Sequence, residues 1–296
     1  MEDVRHAYRT WNKEVRFDFG QPQGEEALVP ADSVTWRIFK NPVSMFVGGV
    51  TAVILELAEA RVRDGVWNNT TFRTDPLGRL RRTGLAAMVT VYGPRSKAEA
   101  MIAGIRRMHG NISGITEDGR SYNANDVELL NWVQATASFG FVEAYSQLVK
   151  PLSLAEKDDV YREARVPATL YGAVGAPDSV AALDELFEHM RPQLRPTGII
   201  DEFLELMLRT PIFPLPLRPY QRMLVRAAVD ILPGWAQQSL QLQTRWRLKN
   251  WERRLIRLTG RLADRLVIKA SPAVHACQRL GLPENYLYRS ARNVQK

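Results

Sequence analysis

The sequence predicts an all-α protein built as one large helical domain. Apolar residues recur at spacings of three and four along most of the chain, as they do on the buried face of a helix. Several of these segments begin with a helix-capping residue, and the alternation typical of strands is almost absent. With 296 residues, 45% of them apolar, the chain is long enough to bury a sizeable core.

The N-terminal part is predicted to be a loose lead-in followed by two helices. Residues 1–32 are polar and interrupted by proline and glycine, which is typical of irregular structure. Asp32 or Ser33 is a suitable cap for a short helix that carries Trp36. A second, apolar helix is predicted over about 43–63, but its apolar run is about half the ~20 residues that a membrane-spanning helix needs.

Two helices with clear starts are predicted next. Asp75 is a good N-cap, Pro76 fits the first helical position, and Gly93 with the proline after it ends the helix. Ser96 and Glu99 have the spacing of a capping box that begins the following helix. That helix carries an apolar stripe that includes a histidine: Met101, Ile102, Ile105, Met108, His109 and Ile112.

The remaining chain is also predicted to be helical. An Asp-Gly pair at 118–119 indicates a turn with a small hairpin. Asn125 begins a long buried helix, and Ser153 with Glu156 forms a second capping box. Further helices are predicted over about 178–190, 198–209, 217–230 and 234–268.

The positive charge is concentrated at the C-terminal end. The net charge is +8, yet residues 240–296 alone hold 13 Lys and Arg against 3 Asp and Glu. We therefore expect a basic C-terminal helical extension, which packs on the domain or extends from it, rather than a basic protein that binds nucleic acid along its whole surface. The single cysteine, Cys277, excludes an internal disulfide framework. The charged N-terminus predicts no secretory signal, so we expect a cytoplasmic protein.

One helix face forms the first candidate site. Arg79 and Thr83 are four residues apart and share a face, and Arg82 lies on the adjoining flank. Such a face can line a pocket for an anionic or flat ligand. The alternative is that Arg79 extends to solvent and that Thr83 hydrogen-bonds to its own helix.

His109 is the second candidate, as a metal ligand. Imidazole is neutral near pH 7 and is the commonest metal-binding side chain, and Gly104 and Gly110 leave room beside it. The alternative is a core histidine with one hydrogen-bond partner. No second ligand lies at zinc spacing, whereas a haem needs only one protein ligand because the porphyrin supplies four nitrogens.

The basic C-terminal segment is a third candidate. It interleaves Trp246 and Trp251 with arginines, a composition that suits anionic lipid or nucleic acid. The alternative is the solvated face of an amphipathic helix.

Several stretches together resemble the family of haem b-dependent oxygenases that includes the latex clearing protein, a rubber oxygenase, and the fungal MpaB oxygenase. They are "VTWRIFKNP", "LELAEARVRDGVWNNTTFRTDPLGRLRRT", "MHGNISGITEDGRSYNANDVELLNWVQAT" and "PLSLAEKDDVYREAR". The resemblance covers roughly 33–285. It implies an all-helical fold with a globin-like core around haem b, and it divides the chain into a lead-in of 1–32, a haem-binding domain of 33–285 and a tail of 286–296.

The resemblance also implies roles for individual residues. The proximal haem histidine of the family falls on His109, and Arg79 and Thr83 in "RLRRT" match its haem-pocket arginine and threonine. Arg82 stands where the rubber oxygenase has a distal lysine. A guanidinium stays protonated and has no free lone pair, so Arg82 can donate hydrogen bonds but cannot coordinate iron.

Two positions depart from the pattern of bacterial members. Glu59 stands in "LAEA" where many read "LAHP", and Gln134 stands in "WVQAT" where many read "WVHAT". Glu59 is a candidate pocket carboxylate, with the base role that an acid has in the rubber oxygenase. These departures leave cofactor binding expected and the substrate open.

We therefore predict an oxygenase that holds haem b through His109 and acts with O2 on an apolar substrate, with unsaturated compounds as candidates. Arg82 and Glu59 are its predicted catalytic residues. The alternatives are a haem-binding carrier or sensor, and a helical protein that binds anionic membrane or nucleic acid through its basic tail. Peripheral contact with an anionic membrane also suits the oxygenase, and no specific nucleic-acid partner is expected.

Overall fold

The computed structural model describes residues 17–69 and 71–289, and these form an all-α domain with one short hairpin. This confirms the predicted fold class. The helices are α1 (Val34–Phe39), α2 (Pro42–Ala58), α3 (Ala60–Trp67), α4 (Pro76–Tyr92), α5 (Arg95–His109), α6 (Val127–Leu148), α7 (Leu154–Glu163), α8 (Arg165–Tyr171), α9 (Val180–Met190), α10 (Gly198–Arg209), α11 (Arg218–Ile231), α12 (Gly234–Ser239), α13 (Asn250–Arg265) and α14 (Pro272–Arg279).

Shorter elements connect these helices. Strands β1 (Ser113–Ile115) and β2 (Ser121–Asn123) pair antiparallel, with Gly114 opposite Tyr122, as the Asp-Gly turn predicts. Single 3-10 turns lie at Arg191–Gln193, Leu215–Leu217 and Tyr286–Tyr288. In the predicted lead-in, residues 1–16 lie outside the described part, and 17–33 form turns without a helix or strand.

The centre of the domain is the antiparallel pair of α2 and α6. Their backbones approach so closely that a Cβ placed on Gly48 would lie 2.7 Å from the carbonyl oxygen of Gly140. Trp132 and Tyr145 of α6 are buried, in keeping with the long buried helix predicted there. Helices α11 and α13 also pack on α2, so most of the α2 surface is covered by protein.

Helices α4 and α5 form a second and looser layer. In α4 only Val89 and the last two residues are buried, and in α5 only Ala98 and Ile102 are. The stripe predicted as a core face is therefore mostly half-covered, and Met108 is exposed. Helix α4 packs on α1, α5 and α14, and it has no extensive contact with α2 or α6 in the described residues.

Most predicted helix starts are confirmed. Ser33 accepts from the Trp36 amide, and Asp75 accepts from the Gly78 amide at 2.9 Å. Ser153 and Glu156 form the predicted capping box of α7. Side-chain oxygens at these positions bond amides that a helix start leaves without partners.

Two other starts differ from the prediction. Ser96 does not cap α5, since its amide and hydroxyl both donate to Glu25. Asp126 rather than Asn125 caps α6, since its carboxylate accepts from the Glu128 amide at 3.1 Å. The side-chain amide of Asn125 instead donates to the Arg106 carbonyl oxygen at 3.0 Å.

Two long helices predicted from the sequence are each broken. The helix predicted over 43–63 is α2 and α3, which meet at Glu59 with a bend of 111°. The helix predicted over 234–268 is α12 and α13, separated by a segment in which Gln241 has a positive φ of 57°. Among the described residues no single helix is long and apolar enough to cross a membrane, and α2 with α3 reaches that length and composition only as this bent pair.

The basic C-terminal helix packs on the domain, which is one of the two arrangements that the sequence leaves open. Lys40 is buried and its ammonium lies 2.6 Å from Asp264 of α13. The Asn41 amide donates to the Gly260 carbonyl oxygen at 2.9 Å, and the Tyr145 hydroxyl donates to Asp264. These contacts hold the inner face of α13 against the start of α2 and the end of α6.

Candidate functional site

His109 is the last residue of α5 and has no partner for its imidazole among the described residues. Its Nδ1 atom is buried and makes no hydrogen bond. Burial, and secondarily the positive charge of Arg79, lower the pKa of His109 below its ordinary value. The ring is therefore neutral near pH 7, with a lone pair available to a ligand.

Arg79 lies on α4, and its positive charge is the one that adds to burial in lowering the pKa of His109. Burial lowers the pKa of Arg79, Glu56 raises it and Arg82 lowers it, yet an arginine stays protonated under these conditions. Its Nε atom is buried without a hydrogen bond, and its guanidinium lies 5.6 Å from the centre of the Phe72 ring. The site thus holds a fixed cation with an unused donor.

Glu56 supplies the negative charge of the site. It is the one charged residue of α2 and is only partly exposed. Burial raises the pKa of Glu56 to about 7, although Arg79 and a hydrogen bond with Thr136 of α6 oppose this rise. A carboxyl with such a pKa can accept or release a proton near neutral pH.

Glu56 takes the place that the sequence assigns to Glu59. Glu59 lies at the junction of α2 and α3, fully buried, where it accepts from the Val62 amide and the Arg61 guanidinium, each at 2.8 Å. Arg120 lies within 3.5 Å of the same carboxylate. Because its oxygens are used in this cap and ion pair, we replace Glu59 by Glu56 as the candidate pocket carboxylate.

A signal for Glu56 was present in the sequence. A single carboxylate within a 17-residue apolar helix is costly unless it is paired or functional. The motif resemblance points instead to Glu59, three residues further along the chain.

Arg82 and Thr83 lie on exposed parts of α4. The Arg82 guanidinium donates to the Thr71 hydroxyl at 2.7 Å and lies 3.4 Å from Asp75, so it holds the preceding loop to the helix start. Thr83 makes no side-chain hydrogen bond with any residue that the structure describes. The predicted roles of both residues stay predictions.

Space lies beside both helices of the looser layer. A Cβ on Gly84 of α4 would have no neighbour within 4 Å, and one on Gly104 of α5 would have only the tip of Arg107 at 3.8 Å. Two surface hollows, one around Arg165 and Asp178 and one around Phe139 and Trp235, lie elsewhere. Neither is lined by a candidate site residue.

The fold and site together define an all-helical protein in which the charge of a half-buried arginine acts on a neutral histidine, and the same arginine interacts with a half-buried carboxyl. Residues 36–265 match the catalytic domain of the ER-bound oxygenase mpaB/B' and rubber oxygenase family. The match spans most of the chain, so the protein belongs to this family. This confirms the resemblance seen in the sequence and places the chain among oxygenase catalytic domains.

Two curated relatives are similar to part of the chain. They are the uncharacterized proteins Mb2261 of Mycobacterium bovis and Rv2237 of Mycobacterium tuberculosis, each 31% identical over 146 residues. The aligned part is 48% of this chain and 57% of each relative. No solved structure matches the chain significantly.

Proposed function

We propose that the protein is an oxygenase that holds a b-type haem through His109 and oxidises an apolar organic substrate with O2. The observation that carries this proposal is the imidazole of His109, which is neutral and has no partner in the described residues. A histidine in this state is suited to bind a metal, because its lone pair is not occupied by a proton.

The residues around His109 fit such a cofactor. Arg79 has a buried donor without a partner, which suits a carboxylate of the porphyrin. Thr83 shares the α4 face of Arg79 and would line the haem beside it. Few side chains cover α4 and α5, since a Cβ on Gly84 would meet no neighbour and one on Gly104 only the tip of Arg107. A single protein ligand is enough for a haem, unlike a metal site built from side chains alone.

Apart from the cofactor, the chain supplies a proton-transfer group and a fixed cation. A bound haem would supply the iron that activates O2. Glu56 can hold or release a proton near pH 7, and Arg79 favours its ionised form. Arg82 would keep the loop at 71–75 against α4 and so limit access from that side.

Half-buried apolar side chains support the proposed substrate class. Helices α4 and α5 present Leu80, Leu85, Met88 and Met101 at the incompletely covered layer. Such a surface stabilises an apolar ligand by removing it from water. Unsaturated hydrocarbons fit this chemistry and are the first compounds to examine.

The decisive experiment measures haem in purified protein after haem-supplemented expression. Wild type should show a Soret band and bind about one haem per chain, as one axial histidine implies. His109→Ala should lose most of this band. The matched control is His189→Ala, because His189 is exposed and lies 3.7 Å from Glu128; it should keep the haem of wild type.

A second variant separates ligation from folding. In His109→Gly, added imidazole should restore the band, because a free imidazole can occupy the space of the missing ring. Equal haem content in wild type and His109→Ala would contradict the proposal. An oxygenase, unlike a haem carrier, should also take up O2 when an apolar unsaturated compound is added, and Glu56→Gln should lower this uptake while keeping the haem.

A further inference from the structure

The outer face of α13 carries an exposed apolar stripe. Trp251, Leu258 and Leu262 are 57%, 56% and 57% exposed, and Leu266 just after the helix is 43% exposed. At 100° per residue these four side chains lie within an arc of about 80°. Single exposed apolar side chains are ordinary, but four on one helix face form a contiguous patch that indicates a partner.

Arginines flank this stripe without carboxylate partners. Arg254 and Arg265 form no ion pair in the described residues, while Arg257 and Arg261 donate only to the backbone carbonyls of Gln147 and Val149. By the same helical geometry these arginines lie on one side of the apolar stripe. The opposite, inner face of α13 holds Ile256 and Gly260 against the core.

We propose that the outer face of α13 docks on an anionic phospholipid membrane. An apolar stripe beside a row of cations is the arrangement of a helix that lies in the plane of a membrane interface. The leucines and Trp251 would enter the acyl boundary while the arginines meet lipid phosphates. The net charge of +10 over residues 240–296 complements such a surface and no neutral one.

The charges of the surface disfavour two other occupants. A second copy of the chain would bring two rows of unpaired arginines together, which is electrostatically costly. A nucleic acid would satisfy the arginines but leave the three leucines in water. Trp246, expected at this surface from the sequence, is not part of it, because it is buried and its indole donates to Asp201 at 3.0 Å.

The docking face and the candidate site lie at opposite ends of α2. Asn41, at the start of α2, bonds α13, whereas Glu56 near its other end faces Arg79. The 15 helical steps between them correspond to about 22 Å. Membrane docking can therefore be tested without touching the site, and the proposal does not depend on the proposed oxygenase activity.

The test is co-sedimentation of the full chain with vesicles of phosphatidylcholine, with or without phosphatidylglycerol, at low and high ionic strength. We expect binding only to vesicles with the anionic lipid, weakening as salt rises. Leu258→Ser with Leu262→Ser should lower the partition coefficient by about tenfold or more. Arg254→Gln with Arg265→Gln should lower it by a similar factor, since each cation near an anionic surface contributes severalfold.

The matched control is Leu154→Ser with Leu215→Ser, which changes two leucines that are 64% and 75% exposed on other elements. It should bind vesicles as wild type does. Trp251→Phe should remove most of the fluorescence change that vesicles induce, which is a readout of insertion independent of the arginine variants.

Four results would overturn the proposal. They are no binding to anionic vesicles at low salt, equal binding to neutral vesicles, equal loss in the control variant, and a leucine pair whose change shifts the oligomeric state instead of vesicle binding. Binding of duplex DNA that depends on the arginines but not on the leucines, without vesicle binding, would assign the face to nucleic acid.

Discussion

The helix pair α2 and α6 is tightly packed, whereas the helix pair α4 and α5 is loosely packed. In the first pair the backbones touch at Gly48 and Gly140, and no Cβ fits between them. In the second pair a Cβ on Gly84 would meet nothing, and few residues are buried. Both pairs have glycine and apolar side chains. Tight packing of α2 on α6 stabilises the fold, while incomplete packing leaves the surface of α4 and α5 uncovered, as the proposed ligand requires.

The largest difference in stability is expected between two glycine substitutions, one in each helix pair. Gly48→Ala should destabilise the fold by about 3 kcal/mol, because the added methyl would lie too close to rigid backbone. Gly84→Ala should stabilise it by up to about 1 kcal/mol, since alanine favours a helix and the site is open. Thermal or denaturant unfolding of both variants measures this. A similar loss in both would mean that α4 is as tightly packed as α2.

The next prediction concerns the two carboxylates, Glu56 and Glu59. Glu59→Ala should cost about 2 kcal/mol, because it removes an N-cap and a partner of the buried Arg61. The haem content of Glu59→Ala should equal that of wild type. Ser153→Ala, which removes an exposed N-cap of α7, should cost about 1 kcal/mol. A changed haem spectrum in Glu59→Ala at full haem occupancy would instead show that Glu59 is part of the candidate site.

The smallest expected effect is a pH dependence that Glu56 introduces. Its pKa is raised from 4.5 to about 7 in the folded protein, so the fold keeps a proton that the unfolded chain releases. The unfolding free energy should therefore decrease as pH rises through this interval. Glu56→Gln removes this dependence. Its stability relative to wild type should be on the order of 1–2 kcal/mol more favourable at about pH 8 than at about pH 5.

Denaturant unfolding at several pH values measures this difference. Glu188→Gln, at an exposed carboxylate, should follow the wild-type pH dependence. If Glu56→Gln also followed it, the Glu56 carboxyl would be solvated as an ordinary surface group, and its assignment to the site would be lost.

Local signals predicted most of the fold. The ends of α4, the capping box of α7 and the hairpin turn all depend on residues close in sequence, so periodicity and caps located them. The break at Glu59 could not be predicted in this way. The carboxylate of Glu59 lies 3.5 Å from Arg120, at the hairpin, and a contact between residues so far apart in sequence leaves no local pattern. Ser96 was likewise mispredicted as a helix cap, because it bonds Glu25, which is distant in sequence.

The candidate site was predicted less completely than the fold. The sequence placed Arg79 and Thr83 on one face, and it identified His109 as an unusual residue. The proximity of α2 to α4 was not visible, because Glu56 and Arg79 are brought together only by the packing of separate layers. The electrostatic relation between these two residues therefore required the structure.

The contacts of Lys40 and Asn41 with α13 have an evolutionary consequence. One side of this helix is fixed, since changing Asp264 or Gly260 would leave a buried ammonium or crowd the end of α6. On the other side the leucines are exposed, and Arg257 and Arg261 bond only backbone carbonyls of the described domain, so this side constrains its own sequence less. Related proteins can therefore keep the same scaffold while the exposed side of this helix varies in sequence.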